Sequence, residues 1–139
     1  MTSPHTPNLF KVQEAEKLAR EDQEKFHSTV MRIMFYAVRV RPDILCTANY
    51  LSTRTRLGVA TTDDQERLIR LVQYIESTLS DGITLGGGTN NNLRIVAYAD
   101  ASYGFHMDGT SHTGLVISLG RSPIYVKSGE QNVLRNRAA

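Results

Sequence analysis

The chain has 139 residues, a net charge of +2 at pH 7, and a composition that is 40% hydrophobic and 22% charged. These values are close to those of globular domains, so they exclude a disordered chain and leave room for one compact core, or one small domain beside part of another. A single cysteine excludes an internal disulfide and a cysteine-rich metal site, and the weak net charge does not by itself indicate nucleic-acid binding.

No membrane span or secretion signal is expected from the sequence. Every apolar run is well short of the ~18 residues that a spanning helix needs. The polar start MTSPHTPNLF has no apolar signal-peptide core. We therefore expect a soluble, intracellular protein of the cytoplasm or nucleus, with no membrane partner.

The N-terminal part predicts helices of two kinds. Residues 1–25 predict a charged helical lead-in whose apolar residues share one stripe. The segment from residue 26 to residue 40 is apolar almost all round, which favours burial on several sides. The stripe of the lead-in consists of Val12, Ala15, Leu18 and Ala19.

Two further helices are predicted before residue 82. Pro42 suits a first helical position and Asp43 suits the positive end of a helix dipole, so a helix should begin there. Thr62 lies three residues before Gln65, which is the spacing of a capping box, and an apolar stripe continues to Leu79. Residues 26–82 are therefore predicted to be mainly helical.

The sequence pattern of residues 83–139 predicts strands joined by turns. A glycine- and asparagine-rich linker that includes Gly86–Gly88 is expected in this part, and it lacks the lysine and the helix of a phosphate-binding loop. The fold class predicted is α+β, with N-terminal helices followed by an antiparallel three-stranded sheet. The predicted strands are Ile83–Leu85, Leu93–Ala99, Gly114–Leu119 and Ile124–Lys127, with Gly120–Pro123 as the last turn.

Six short motifs in order give the chain a family resemblance. They are R-P-D-I-L at 41–45, N-Y-L-S at 49–52, Q-Y-I-E-S-T at 73–78, Y-A-D-A-S-Y at 98–103, S-H-T-G at 111–114 and K-S-x-x-Q at 127–131. In this order and at this spacing they resemble the pol polyprotein of copia-type LTR retrotransposons, over roughly residues 26–134. In that family a reverse transcriptase thumb and connection lead into a ribonuclease H domain.

The resemblance implies a role for Asp100. It matches Asp100 to the first catalytic aspartate of a ribonuclease H, an enzyme that hydrolyses the RNA of an RNA–DNA hybrid with Mg²⁺. It also implies that the next acidic motif would begin at residue 140, so residues 83–139 are expected to be a truncated, incomplete ribonuclease H-like domain. We therefore expect the chain alone to bind Mg²⁺ weakly or not at all and to be inactive, and the polymerase metal ligands are absent from the sequence.

The same resemblance implies nucleic-acid contacts. Arg39 and Arg41 would lie near the duplex, while Ser102, Lys127 and Ser128 would flank the substrate groove. Ordinary surface polarity explains each of these residues about as well. A metal site formed by His106, Asp108 and His112 is disfavoured because an open loop supplies no fourth ligand.

Two other functions stay open at this stage. The chain could be a non-catalytic nucleic-acid-binding module that uses basic residues. It could also be a piece that folds against a partner or self-associates through open sheet edges. The basic residues considered are Arg39, Arg41, Arg54, Arg56 and Lys127.

Overall fold

The computed structural model describes residues 2–86, 94–102 and 110–131. The chain divides into two compact units, Met1–Gly82 and Ile83–Ala139. The first unit contains α1 (Arg20–Arg39), a 3-10 turn at Pro42–Ile44, α2 (Leu45–Thr53) and α3 (Thr62–Ser77). The second contains β1 (Ile95–Ser102), β2 (His112–Leu119) and β3 (Ser122–Glu130). Within the described residues, three helices and a three-stranded antiparallel sheet confirm the predicted α+β class.

The core of the helical unit forms around one face of α1. Phe26, Val30, Ile33 and Ala37 recur at helical spacing and are buried. Burying a side chain such as valine or phenylalanine stabilises the fold by ~1.5–3 kcal/mol. None of the helices in residues 2–86 is both long and apolar enough to cross a membrane. The core is completed by Ile44, Leu45, Ala48, Leu51, Leu68 and Leu71 from the other helices.

The predicted helical lead-in is wrong for residues 12–19. These residues belong to a non-helical N-terminal strap, defined here as residues 2–19, and α1 begins only at Arg20. The N–H of Leu18 donates to the carbonyl of Ala60 over 3.0 Å, and the N–H of Thr62 donates to the carbonyl of Glu16 over 2.9 Å. The backbone around residues 16–18 is thus paired with residues 60–62 rather than with its own next turn.

The expectation that α1 would be buried on several sides is also wrong. Met31, Phe35 and Val38 are 40%, 62% and 56% exposed, because the core covers only the opposite face of the helix. The helix stops at Arg39, and Arg41 precedes Pro42, where the helical conformation is disfavoured.

The start of α3 has a capping box one residue earlier than predicted. Thr61, not Thr62, is the N-cap, and its partner is Asp64 rather than Gln65. The Thr61 N–H donates to Oδ2 of Asp64 over 3.0 Å, and the Asp64 N–H donates to the Thr61 hydroxyl over 3.4 Å. The helix ends at Ser77, so Leu79 lies beyond it and is exposed.

The sheet has the strand order β1-β2-β3, with both pairs antiparallel. Ile83–Leu85 is not a strand, and β1 begins at Ile95, while Leu93 lies outside the described residues. The connection between β2 and β3 is shorter than predicted, with Gly120 at φ +60° in a two-residue turn. A register shift lies between Ile117 and Ser118.

Candidate functional site: the polar face of the sheet

The strand register brings Asp100 together with two of the other predicted site residues. Side chains alternate between the faces of a strand, so Asp100 and Ser102 share one face. Across the sheet Asp100 pairs with Gly114, and Gly114 pairs with Ser128. The neighbouring row pairs Ser102 with His112 and His112 with Glu130. We call this set the polar face: Asp100, Ser102, His112, Ser128 and Glu130.

Hydrogen bonds orient part of the polar face. Nε2 of His112 lies 2.8 Å from the Ser128 hydroxyl. The hydroxyl of Thr110 donates to Oε1 of Glu130 over 2.5 Å. Sequence reasoning did not include His112 and Glu130 with Asp100, because only the register shows that they share its face.

Gly114 leaves a gap in the middle of the polar face. A Cβ built on Gly114 would meet only the carbonyl oxygen of Asp100, at 3.9 Å, so packing does not require a glycine. The absence of a side chain there lets a ligand come close to the backbone between Asp100 and Ser128. The surface around Asp100 is therefore the best candidate on the sheet for contact with a ligand.

The polar face does not fit a Mg²⁺ site. Mg²⁺ requires near-octahedral oxygen coordination, which usually combines carboxylates with water. Glu130 lies two strands away from Asp100 and one row further along the sheet. Within residues 2–86, 94–102 and 110–131, no group of three His, Cys, Asp or Glu side chains could hold a metal ion. His106 and Asp108 lie outside the described residues.

Lys127 lies on the other face of the sheet. It pairs with Leu115, and its side chain alternates with that of Ser128. That face is mainly apolar near β1 and β2, with Ala99 and Ile117 as further members. The register therefore separates Lys127 from Asp100, Ser102 and Ser128.

Arg41 is buried in the helical unit. Its Nε and Nη2 donate to the two carboxylate oxygens of Asp43 over 2.9 and 2.8 Å. Its Nη1 and Nη2 donate to the carbonyl and hydroxyl oxygens of Thr78 over 2.7 and 2.8 Å. The hydrogen bonds that the Arg41 guanidinium donates to Asp43 raise the pKa of Arg41 above its usual value. Because the Arg41 side chain has no exposed surface, it is not accessible to a phosphate, and the expected contact between Arg41 and nucleic acid is not supported.

The other arginines differ in how accessible they are. Arg39 is exposed, and its Cζ lies 3.7 Å from the centroid of the Phe35 ring. Nε of Arg54 lies 3.1 Å from Oδ2 of Asp64, whose carboxylate is buried. Arg56 is exposed. Arg39 and Arg56 therefore remain accessible to a ligand, whereas Arg54 supports the start of α3.

Comparison with known proteins does not identify a family. No family model, curated protein or solved structure matches the chain significantly.

Proposed function

We propose that the chain is part of a copia-type retrotransposon polyprotein, in which thumb and connection helices lead into the first strands of a ribonuclease H-like domain. The order of the six motifs and the sequence of helices followed by an antiparallel sheet support this proposal. The observation that carries it is the position of Asp100 in β1, on the same face as Ser102 and Ser128.

In this proposal the polar face contacts the backbone of an RNA–DNA hybrid. The hydroxyls of Ser102 and Ser128 can donate to phosphate or sugar oxygens, as hydroxyl side chains commonly do in nucleic-acid complexes. Asp100 carries a charge that repels phosphate, so it needs further groups before it can take part in hydrolysis. We propose that the chain alone is inactive and binds Mg²⁺ weakly, and that a further carboxylate-bearing segment of the polyprotein completes the site.

Cleavage of an RNA–DNA hybrid tests this function. A chain extended along its reading frame through the next acidic residues should cleave the hybrid in Mg²⁺, and the 139-residue chain should not. Asp100→Asn in the extended chain should lower the rate by at least ~100-fold, because loss of even an outer partner of a metal ligand costs ~10–100-fold.

Asp81→Asn is the matched control, since Asp81 is exposed in the helical unit and should leave the rate unchanged. Cleavage that survives Asp100→Asn would contradict the proposed role of Asp100. An extended, folded chain with no activity on the hybrid would reject the proposed ancestry of the site.

A second candidate function is nucleic-acid binding without catalysis. The observation that favours it is the exposure of Arg39, Arg56 and Lys127. If these residues contact phosphates, the logarithm of the association constant should fall with the logarithm of salt concentration, with a slope of about −0.9 per contact on duplex DNA. Lys127→Ala should reduce the slope by about one unit, as measured by fluorescence anisotropy with a labelled duplex. Binding that does not change with salt would reject this function.

Self-association through the sheet is a further proposal on partners. Among the described residues β1 and β3 each pair only with β2, so each strand has one edge without a ladder partner in that part of the chain. Such an edge can pair with a strand of another chain. We propose that the open edges of β1 and β3 form backbone hydrogen bonds with a strand of another chain.

A further inference from the structure

An open groove lies on the exposed side of α1. Its volume is about 720 Å³. Met31 and Phe35 of α1 form one wall, and Leu57, from the loop between α2 and α3, forms part of the other. Phe35 and Leu57 are 62% and 66% exposed, so the groove is a large apolar surface open to solvent.

The apolar wall of this groove continues along α1 with helical spacing. Met31 and Phe35 line the groove and are four residues apart, and the exposed Val38 follows three residues later beyond the lining, so the three form one stripe along α1. A stripe of this kind, together with a second wall, is the form of surface that accepts the apolar face of another helix.

The charges around the groove are mainly positive. Arg32 lines it, and Arg39 lies over the Phe35 ring that forms its wall. Among the described residues that line it, Glu24 is the one acid, and its Oε1 lies 3.4 Å from Nε of the exposed Arg20. The arginines Arg32 and Arg39 are seven residues apart, so they form a basic row beside the apolar stripe.

We infer that this groove binds an acidic amphipathic helix of a partner protein. The apolar stripe would receive the apolar face of the helix, and Arg32 and Arg39 would pair with carboxylates beside that face. This inference does not depend on the proposed ribonuclease H ancestry, because it involves only the helical unit.

A second copy of the chain offers this groove no acidic row of the kind that an acidic helix would supply. In an antiparallel pair of α1 helices centred on Arg32, Arg32 would face Arg32 of the other copy and Lys25 would face the other Arg39. Like charges at such positions are repulsive. Single-stranded nucleic acid is also disfavoured, because the stripe offers Phe35 as its one aromatic ring for base stacking.

A synthetic peptide can test the groove with the full 139-residue chain. The probe is a fluorescein-labelled helical peptide with leucines at positions i, i+3, i+4 and i+7 and glutamates beside them. Two control peptides have the same composition in a non-amphipathic order, or lysines in place of the glutamates. We expect micromolar binding of the acidic peptide and at least ~10-fold weaker binding of both controls, because apolar anchors and charge complementarity are then lost.

Variants of the groove should distinguish the contribution of its apolar residues to binding from the contribution of its arginines. Phe35→Ser should weaken binding of the acidic peptide by at least ~10-fold, since it removes the largest apolar anchor. The double change Arg32→Glu and Arg39→Glu should invert the preference, so that the basic peptide binds more tightly than the acidic one. Leu79→Ser is the matched control, because Leu79 is 72% exposed outside the groove, and it should leave binding unchanged.

Several outcomes would overturn the inference. Equal binding of the acidic and basic peptides would show that Arg32 and Arg39 do not select an acidic partner. Unchanged binding by Phe35→Ser would show that the peptide binds outside the groove. Absence of binding at millimolar peptide would reject the site. If a labelled single-stranded oligonucleotide binds through Phe35 and the acidic peptide does not compete with it, the groove is a nucleic-acid surface and the inference is wrong.

Discussion

Arg41→Ala is expected to destabilise the helical unit by about 3 kcal/mol. Breaking a buried ion pair by removing one partner costs ~3–5 kcal/mol, and the partial exposure of Asp43 favours the lower end of that range. The change also removes the hydrogen bonds that Arg41 donates to Thr78. These bonds connect the segment before α2 to the end of α3. Urea unfolding followed by the helical circular dichroism signal measures the effect.

The neighbouring arginine gives a matched control. Arg39 is exposed, so Arg39→Ala should change the free energy of unfolding by less than ~0.5 kcal/mol.

The destabilisation caused by Arg41→Ala should also depend on pH. The hydrogen bonds from the Arg41 guanidinium lower the pKa of Asp43 in the folded protein below the ordinary aspartate pKa of 3.8. The pair therefore contributes its full stabilisation at pH values above 3.8. This stabilisation is lost as the pH falls through the lowered pKa of Asp43 in the folded protein. Equal effects of the two alanine variants, or an Arg41 effect that grows in acid, would contradict this account.

Asp64→Ala should cost a similar amount, about 3 kcal/mol. Its carboxylate accepts from the backbone and hydroxyl of Thr61 and from Nε of Arg54, and its side chain is only 2% exposed. Loss of a cap costs ~1 kcal/mol, and leaving the N–H and the guanidinium without their acceptor adds ~1–3 kcal/mol. Thermal and urea unfolding of the helical unit measure the change.

Two further variants separate the cap from the ion pair. Asp64→Asn retains an acceptor for Thr61 but removes the charge that faces Arg54, so about half of the loss is expected. Glu66→Ala changes an exposed acid of the same helix and should stay within ~0.5 kcal/mol of the original chain. If Asp64→Ala costs no more than Glu66→Ala, the capping box does not stabilise α3 in the way described.

The helical part shows why some local patterns predict structure and others do not. The apolar spacing of α3 predicts the helix itself, because Leu68 and Leu71 meet the core on one face, but it overruns the end of the helix at Ser77 and includes the exposed Leu79. The lead-in has equally good helix formers, but residues 16–18 pair with residues 60–62 instead. That pairing depends on a segment more than forty positions away, so no local pattern can reveal it.

The composition of the polar face depends on the register of the sheet. Alternation alone predicts that Ser102 shares the face of Asp100. The predicted turn would have paired Leu119 with Ile124, whereas Leu119 pairs with Ser122 and an irregularity near Ile117 shifts the register again. A shift of one residue reverses the face of every side chain, so the position of His112 against Ser128 could not be read from the sequence.

The contacts of Arg41 also have a consequence for synthesis of the chain. Thr78 follows Arg41 by 37 residues, so at ~5–20 residues per second the ribosome needs ~2–7 seconds to deliver it. Asp43 follows only two positions after Arg41 and can neutralise the guanidinium during that interval. The nascent chain therefore has a local partner for this charge before the residues that enclose it have been made.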